Sequence, residues 1–304
     1  MGSAMNLIDT LCPICETLGN SEVVHEANVD QQTFSVEVFS ARRLPDRKHY
    51  KWVRCKKCSL MRSDPIFEIN LEKLYSESTF DYSNEVNGLK KTYISITNKV
   101  SKGKPQNSII EIGGGNGFFL EQALDQGYEK ICGVEPSAEA ISAARFDVKP
   151  FMIPSLMKLG VVPNNSFDVG VMFHTLDHLP DPVSTLKDVI QAIKPGGVFL
   201  VAVHNEKSWS ARLLGEKSPI IDVEHTHLYS KKTGRMLFEK AGFVNVKAGS
   251  YWNHYSLAYL IHLIPISRTL RKKILFSPFG KLMSKIKMVV PLGNIWIVGE
   301  RPSS

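Results

Sequence analysis

The sequence predicts an α/β fold, a doubly wound and mostly parallel sheet of seven strands, preceded by a small β-rich module. From residue 106 to residue 250, short apolar strands alternate with helices, which is typical of a parallel sheet covered on both faces. Two Cys-x-x-Cys pairs near the start of the chain predict a small metal-binding module there. A strand-like run at residues 294–299 adds one more strand after a long interruption.

The composition is that of an ordinary globular protein. The chain has 304 residues, 43% hydrophobic and 22% charged, with a net charge of +7. The residues before Met5 resemble an expression remnant and no signal peptide follows, so we expect a cytoplasmic location. No apolar run reaches the roughly 18 residues that a spanning helix needs. The positive charge fits simple solubility, or a nucleic acid, membrane surface or acidic substrate as partner.

We divide the chain into three parts. The cysteine module occupies residues 6–66 and has a β-rich middle at Thr33–Phe39. A helical lid or linker follows at 67–104, and the main domain takes 105–304 with an insertion at about 251–290. The linker aromatics could close over a ligand or pack into a core, and they include Tyr75, Phe80 and Tyr82.

Each element of the main domain has its own local signal. Apolar runs predict six strands, at Ser108–Ile112, Ile131–Val134, Pro150–Ile153, Phe167–Phe173, Val198–Val203 and Phe243–Val246. Helices are expected at Phe118–Gln126 and after three N-cap residues, Ser137, Asp181 and Ser230. The last strand, Asn294–Gly299, is expected to enter the sheet at its edge.

The first strand runs into a glycine loop, Gly113-x-Gly115-x-Gly117. Glycines permit a tight turn and a close backbone approach to a ligand, although a purely structural turn has the same pattern. Glu111 precedes the glycines, where it would repel a pyrophosphate but attract an ammonium or a sulfonium. Glu135 ends the second strand, where a carboxylate can accept hydrogen bonds from both ribose hydroxyls.

Five motifs in this order resemble the class I S-adenosylmethionine-dependent methyltransferases, which have a Rossmann-like sheet. They are Glu111–Gly117, Glu135–Ser137, Ser166–Asp168, His174–Pro182 and Lys194–Gly197. The resemblance implies that Gly113, Gly115 and Gly117 approach the methionine part of the cofactor, and that Glu135 and Pro136 lie at the ribose. It also implies that Met152–Leu156, with Ser155, borders the adenine and that His174 and Thr175 lie beside the cofactor. Asp177 departs from the pattern, since such relatives often have Glu before the histidine.

The two cysteine pairs are Cys12-x-x-Cys15 and Cys55-x-x-Cys58. Four thiolates complete a tetrahedral Zn²⁺ site and leave no position for water, which predicts a structural ion. Free thiols or a redox pair are the alternatives. An N-terminal zinc module before such a domain is similar to bacterial sugar-modifying methyltransferases of polysaccharide and antibiotic pathways, and to certain ribosomal RNA methyltransferases.

The candidates for acceptor chemistry lie in the polar segment Asp222–Ser230. In sugar methyltransferases a similar Glu–His stretch lies at the acceptor site, which implies that His225 is the base and Glu224 its orienting partner. His178 is the second candidate. These histidines could instead bond the backbone around a helix start.

We therefore expect methyl transfer to a small molecule, namely a sugar hydroxyl on a nucleotide- or lipid-linked sugar. The alternatives are an RNA methyltransferase that grips phosphates with its basic surface, and a non-catalytic zinc-bearing interaction protein. The tail at 255–290 is apolar and then basic, so it could pack on the sheet or lie on the inner membrane surface. The sequence does not indicate an oligomeric state.

Overall fold

The structure, a computed structural model, describes residues 6–29, 48–68, 70, 74, 86–263, 273–277, 280, 282–283, 286–291 and 293–303. The predicted strand region Thr33–Phe39 and the linker aromatics Tyr75, Phe80 and Tyr82 lie outside these ranges. So does much of the basic tail. Within the described ranges, no helix has both the length and the apolar character needed to cross a membrane.

The cysteine region forms five short strands. They are β1 (Leu7–Ile8), β2 (Ser21–His25), β3 (Trp52–Cys55), β4 (Met61–Ser63) and β5 (Ile66–Phe67). Strands β2, β3 and β4 pair antiparallel in that order, and β1 pairs with β5 separately. Phe67 is therefore in a strand, and the prediction that helical structure begins at residue 67 is wrong at that position. The next multi-residue element that the structure describes is helix α1 (Val86–Val100).

The main domain then alternates as predicted. Its first half contains β6 (Ser108–Ile112), α2 (Phe118–Asp125), β7 (Lys130–Val134), α3 (Ala138–Ser142), β8 (Met152–Ile153) and β9 (Phe167–Phe173). Its second half contains α4 (Pro182–Ala192), β10 (Ile193–His204), α5 (Trp209–Leu214), β11 (His227–Leu228), α6 (Lys231–Ala241) and β12 (Val244–Ser250). The third predicted strand is shorter than expected, because residues 149–151 form a 3₁₀ turn around Pro150.

The predicted helix caps are confirmed. The Ser137 hydroxyl accepts a hydrogen bond from the Ala140 amide at 3.2 Å, and the Asp181 carboxylate accepts one from Ser184 at 3.0 Å. Ser230 forms a capping box with Thr233 at the start of α6. Side-chain caps satisfy amide groups that have no partner within a helix, so they fix where each helix begins.

The insertion and the last strand complete the fold. They contain β13 (Asn253–Ser256), α7 (Leu257–Leu263), β14 (Lys287–Val290) and β15 (Asn294–Glu300). Strands β13 and β14 form a separate antiparallel pair. The seven-stranded sheet has the order β12-β15-β10-β9-β6-β7-β8, and β15 is antiparallel to both of its neighbours. The expectation that the last strand lies at the sheet edge is therefore wrong, because β15 lies between β10 and β12.

Apolar clusters cover both faces of this sheet. One contains side chains of α4 and α6 together with Cys12, Cys55 and Cys58. The other contains side chains of α1 and α2 together with Tyr251 and Tyr255 from the insertion. The cysteine region thus shares a core with the main domain.

Strand β11 belongs to the sheet of the cysteine region. It pairs antiparallel with β4, His227 opposite Arg62 and Leu228 opposite Met61. The sheet therefore has the order β11-β4-β3-β2, and its edge strand comes from the middle of the main domain. The segment that carries His225 is held by this pairing.

Candidate active site and cysteine cluster

The glycine loop turns sharply between β6 and α2. Gly113, Gly115 and Gly117 have φ values of +73°, +54° and +71°, a left-handed conformation that side chains other than glycine rarely adopt. A Cβ atom on Gly113 would lie 2.3 Å from the Thr175 hydroxyl oxygen. The loop is therefore in close contact with the segment that follows β9.

Glu111 is a buried carboxylate directly before this loop. It is 3% exposed, and its Oε2 atom has no hydrogen-bond partner among the described residues. Burial, and secondarily the charge of Glu135, raise the pKa of Glu111 well above its usual range. A cationic ligand would remove this cost, so the position suits an ammonium group.

Glu135 is fixed at the end of β7. Its Oε2 accepts a hydrogen bond from the Gly115 amide and its Oε1 one from the Ser137 amide, both at 2.8 Å. Burial raises the pKa of Glu135, and these two amide donors oppose the rise. Each oxygen keeps a second lone pair for a ligand hydroxyl. Pro136, which separates Glu135 from Ser137 in the chain, is partly buried.

Ser155 lies on the loop after β8. Its hydroxyl donates to the Leu156 carbonyl oxygen at 2.8 Å. The Glu135 amide donates to the Ile153 carbonyl oxygen at 3.0 Å, which ties this loop to the end of β7. The structure thus brings Ser155 to the same edge of the sheet as Glu135.

His174 and Thr175 follow β9 at the adjacent strand end. His174 has a φ of +49°, a strained conformation for a non-glycine residue, and its amide donates to the Ala202 carbonyl oxygen at 2.8 Å. The His174 Nε2 atom lies 3.1 Å from the Tyr251 hydroxyl oxygen. The Thr175 hydroxyl donates to the Phe173 carbonyl oxygen at 3.2 Å. Strain of this kind persists where surrounding contacts impose it, as at ligand sites.

Four histidines surround one aspartate beside His174, and we call this group the imidazole cluster. It consists of His174, Asp177, His178, His204 and His225. The ring centroids of His174 and His204 are 4.5 Å apart, those of His178 and His225 4.9 Å, and those of His204 and His225 5.3 Å. Asp177 is 0% exposed.

The His225 ring is buried and held in one orientation. Its Nδ1 atom donates to the Ile220 carbonyl oxygen at 3.0 Å, so the lone pair of the neutral ring lies on Nε2. That atom is 3.9 Å from Asp177 Oδ2. Burial first, and then the neighbouring His178 and His204, lower the pKa of His225 well below its ordinary value. The ring is therefore neutral at physiological pH.

The remaining residues of this segment have different surroundings. Every residue from 221 to 230 is buried. The Glu224 amide donates to the Asp222 carboxylate at 3.2 Å, and the orientation of His225 by Glu224 stays a prediction. His227 Nδ1 lies 3.1 Å from the Leu179 carbonyl oxygen, and burial lowers the pKa of this ring to about 4. His227 thus bonds the backbone, as considered for the histidines of this segment.

The four predicted cysteines converge. The sulfur atoms of Cys12, Cys15, Cys55 and Cys58 all lie within 4.8 Å of one another, and the Cys12 and Cys58 sulfurs are 3.5 Å apart. The Cys58 thiol, by hydrogen bonding, lowers the pKa of Cys12. Four sulfur ligands at these separations fit a tetrahedral Zn²⁺ ion. Cys132 lies apart in β7 and is buried, as expected for a core residue.

Hydrogen bonds join the cysteine region to the backbone of the His225 segment and to helix α6. The Ser63 amide donates to the Thr226 carbonyl oxygen at 2.9 Å, and the Ser63 hydroxyl donates to the His225 carbonyl oxygen at 3.1 Å. The Lys240 ammonium of α6 donates to the Ile14 carbonyl oxygen at 3.1 Å. The position of His225 therefore depends on the cysteine region.

Sequence reasoning missed His204 and Tyr251. His204 is the last residue of β10, at the carboxyl end of a parallel strand, where ligands of such sheets lie. That position was the available signal. Tyr251 follows β12, and its contact with His174 arises from tertiary packing alone.

The sheet, with its parallel strands and the antiparallel β15 between β10 and β12, defines a class I S-adenosylmethionine-dependent methyltransferase fold. Residues 87–248, more than half of the chain, match the family model described as a methyltransferase domain. The chain belongs to this methyltransferase family.

Two curated relatives are ubiquinone biosynthesis O-methyltransferases. The one from Nitrosospira multiformis is 26% identical over 196 residues, which is 60% of this chain and 80% of that protein. The one from Paramagnetospirillum magneticum is 25% identical over 114 residues, 36% of this chain and 45% of that protein. The chain thus spans less than half of the length of this second relative.

A solved structure is also similar. The phosphoethanolamine N-methyltransferase 2 of Haemonchus contortus, in complex with S-adenosyl-L-methionine, has a TM-score of 0.51 and 13% identity. The match covers 84% of this chain and 65% of that one. Similarity at this level of identity concerns the fold alone.

Proposed function

We propose that the chain transfers the methyl group of S-adenosylmethionine to a hydroxyl group of a small molecule, and that this acceptor is a nucleotide- or lipid-linked sugar. One observation carries the proposal, namely the meeting of the glycine loop with the imidazole cluster. Thr175 lies close to Gly113, and its neighbour His174 belongs to the imidazole cluster, where its ring packs against His204. A methyl donor on the loop and a proton acceptor in the cluster would thus be neighbours.

The loop residues would hold the cofactor. Bound S-adenosylmethionine supplies a methyl group on a positively charged sulfur. Glu111, whose Oε2 lacks a hydrogen-bond partner among the described residues, would accept from the ammonium group, and Glu135 would accept from the ribose hydroxyls. The other proposed cofactor contacts are Gly113, Gly115, Gly117, Pro136, Ser155, His174 and Thr175.

In the cluster, His225 would act as the base. Its Nε2 carries a lone pair and faces Asp177, whose negative charge would stabilise the imidazolium once the ring accepts the acceptor proton. Glu224 belongs to the same buried segment and is its proposed orienting partner. His178, edge-on to His225 at 4.9 Å, is the second candidate.

A charged cavity beside this cluster supports a polar acceptor. It has a volume of about 190 Å³ and lies between β2, β3 and α5. Arg54, Lys207 and Arg212 line it together with Glu206, which pairs with Arg54 at 3.1 Å and with Lys207 at 3.5 Å. Ile220, whose carbonyl oxygen holds the His225 ring, lines it as well. Cations of this kind bind phosphate groups, which a nucleotide- or lipid-linked sugar carries. The names of the O-methyltransferase relatives support a hydroxyl as the methylated group.

We assign Cys12, Cys15, Cys55 and Cys58 to a structural Zn²⁺ ion. The ion would fix β3 and β4, and through β4 the strand β11 and His225. Replacing Cys55 by Ser should abolish zinc binding and lower methyl transfer together. Full activity in a zinc-free Cys55→Ser protein would refute this coupling.

The insertion supports peripheral membrane contact. Ile286, Met288 and Val289 are 42%, 39% and 49% exposed, with Lys287 among them. Flotation with anionic vesicles should carry the protein upward, and Val289→Asp should abolish this. Equal flotation with neutral and anionic vesicles, or none at all, would contradict the assignment.

The main experiment measures methyl transfer from labelled S-adenosylmethionine to sugar nucleotides, phenols and bulk RNA. Transfer to a sugar nucleotide is expected, and His225→Asn should reduce it by about 10²-fold or more. His227→Asn is the matched control, since this buried neighbour contacts the Leu179 carbonyl oxygen and the Thr226 hydroxyl rather than Asp177. Both variants should bind the cofactor like the wild type. Transfer to RNA alone, or equal losses in both variants, would overturn the proposal.

A further inference from the structure

Asp177 carries a carboxylate that the fold has buried without a hydrogen bond. The residue is 0% exposed, and neither of its side-chain oxygens has a hydrogen-bond partner among the described residues. Its backbone is fixed, because the Thr226 amide and hydroxyl donate to its carbonyl oxygen at 2.8 and 3.2 Å. A buried ionised carboxylate is costly unless a cation or a hydrogen bond compensates it.

Imidazole nitrogens stand around this carboxylate at distances that suit an ion between them. His178 Nε2 is 3.8 Å from Oδ1 and His225 Nε2 is 3.9 Å from Oδ2, too far for hydrogen bonds. A ligand nitrogen of His174, one of His204 and an oxygen of Asp177 all lie within 4.8 Å of one another. Two bonds of about 2.1 Å to one ion span at most about 4.2 Å. Small movements of side chains would therefore complete a site.

One ring nitrogen of His174 and one of His204 contact polar groups outside the proposed site. His174 Nε2 lies 3.1 Å from the Tyr251 hydroxyl oxygen, and His204 Nδ1 donates to the Asn294 side-chain oxygen at 3.2 Å. A proton on Nδ1 leaves the His204 lone pair on Nε2. Metal-binding histidines characteristically hold their second nitrogen in this way.

From this geometry we infer that His174, Asp177 and His204 bind a divalent cation of the Zn²⁺, Co²⁺ or Ni²⁺ class. Two imidazoles and one carboxylate form a donor set that such ions accept, and three protein ligands leave a position open. Two features favour this trio over Asp177, His178 and His225. First, His204 ends β10 and His174 follows the adjacent strand β9. Second, His174 directly precedes Thr175, which contacts the glycine loop.

The inference rests on the proposed function for its chemical role. The open position would take the acceptor hydroxyl, and the ion would lower the pKa of that hydroxyl. His225 Nε2 would take the hydroxyl proton, the oxygen would bond to the methyl carbon, and the bond from that carbon to sulfur would break with its electron pair left on sulfur. His225 thus stays a base, outside the inner ligands of the ion.

Counting bound metal tests the site directly. The protein is produced in zinc-depleted medium with Co²⁺, so that cobalt takes the place of zinc at the cysteines, and is then equilibrated with excess Co²⁺ and freed of unbound ion. Its cobalt content per chain and its absorption spectrum are measured. The wild type should hold two ions, one with thiolate charge-transfer absorption from the cysteine cluster and one without it. His204→Ala and Asp177→Asn should each lose one ion and keep the thiolate bands.

Further variants decide between the two candidate sets of metal ligands. His227→Asn is the control and should keep both ions, and His178→Ala should do so as well. A wild type whose cobalt all shows thiolate character would overturn the inference, as would loss of the second ion in His178→Ala but not in His204→Ala. The number of cobalt ions in the wild type is informative even if a variant fails to fold. Two ions without any methyl transfer would refute the proposed function and leave this site standing, whereas methyl transfer by a protein that binds cobalt only at the cysteines would do the reverse.

Discussion

Replacing Gly113 by Ala should damage the cofactor loop in two separable ways. Gly113 has a φ of +73°, and an added Cβ would lie 2.3 Å from the Thr175 hydroxyl oxygen and 2.8 Å from its methyl carbon. The left-handed conformation costs a side-chain-bearing residue about 1–2 kcal/mol. Displacing Thr175 also breaks its hydrogen bond to the Phe173 carbonyl oxygen, which adds about 1 kcal/mol.

Gly160→Ala is the matched control for the backbone cost. Gly160 has a φ of +87°, and nothing lies within 4 Å of the position of an added Cβ. Both variants should therefore lose a similar amount of unfolding free energy from the backbone, about 1–2 kcal/mol. Only Gly113→Ala should also move the segment of Thr175 and His174.

Calorimetric titration with S-adenosylmethionine and thermal unfolding without it measure the two effects. We expect Gly113→Ala to bind the cofactor at least about tenfold more weakly, a loss of about 1.4 kcal/mol. Gly160→Ala should bind it like the wild type. Wild-type affinity in Gly113→Ala, or equal weakening in both variants, would refute the idea that this close contact positions the cofactor site.

Two further predictions concern the sheet and its link to the cysteine region. Asp168 accepts hydrogen bonds from the Ser108 hydroxyl at 2.7 Å and the Lys194 ammonium at 2.8 Å, and these bonds outweigh burial and lower its pKa. Because the folded pKa lies below the unfolded one, this stability is present above about pH 4 and is lost as pH falls through the folded value. Asp168→Asn should lower the free energy of unfolding by about 1–3 kcal/mol at neutral pH and weaken the fall of this free energy at acidic pH, as measured by urea unfolding at a series of pH values. An unchanged dependence on acidic pH would contradict this. Ser63→Ala removes the bond to the His225 carbonyl oxygen and should lower turnover more than cofactor affinity, with Ser59→Ala as the control. Loss of affinity with unchanged turnover would count against the link.

Much of the fold follows from local signals in the sequence. Apolar runs bounded by glycine and proline define β6, β7 and β9, and the caps at Asp181 and Ser230 define where their helices begin. These features depend on neighbouring residues, so the chain itself displays them.

Features that depend on distant residues were not predictable in this way. The alternation of apolar residues in β15 identifies a strand but does not reveal its neighbours, so its place between β10 and β12 was missed. Strand β11 has only two residues, too few for a periodic pattern. The glycine loop was found because its spacing is local, whereas His204 joins the imidazole cluster only through strand order.

The shared strand β11 also has a consequence for how the chain acquires its structure during synthesis. The cysteine region leaves the ribosome before the main domain does, yet its sheet is complete only when Arg62 in β4 has paired with His227 in β11. Until then β4 presents an open edge, which can pair with other chains. Contacts between such distant residues are slow to form, so we expect the amino-terminal region to gain its final order late, together with the domain that follows it.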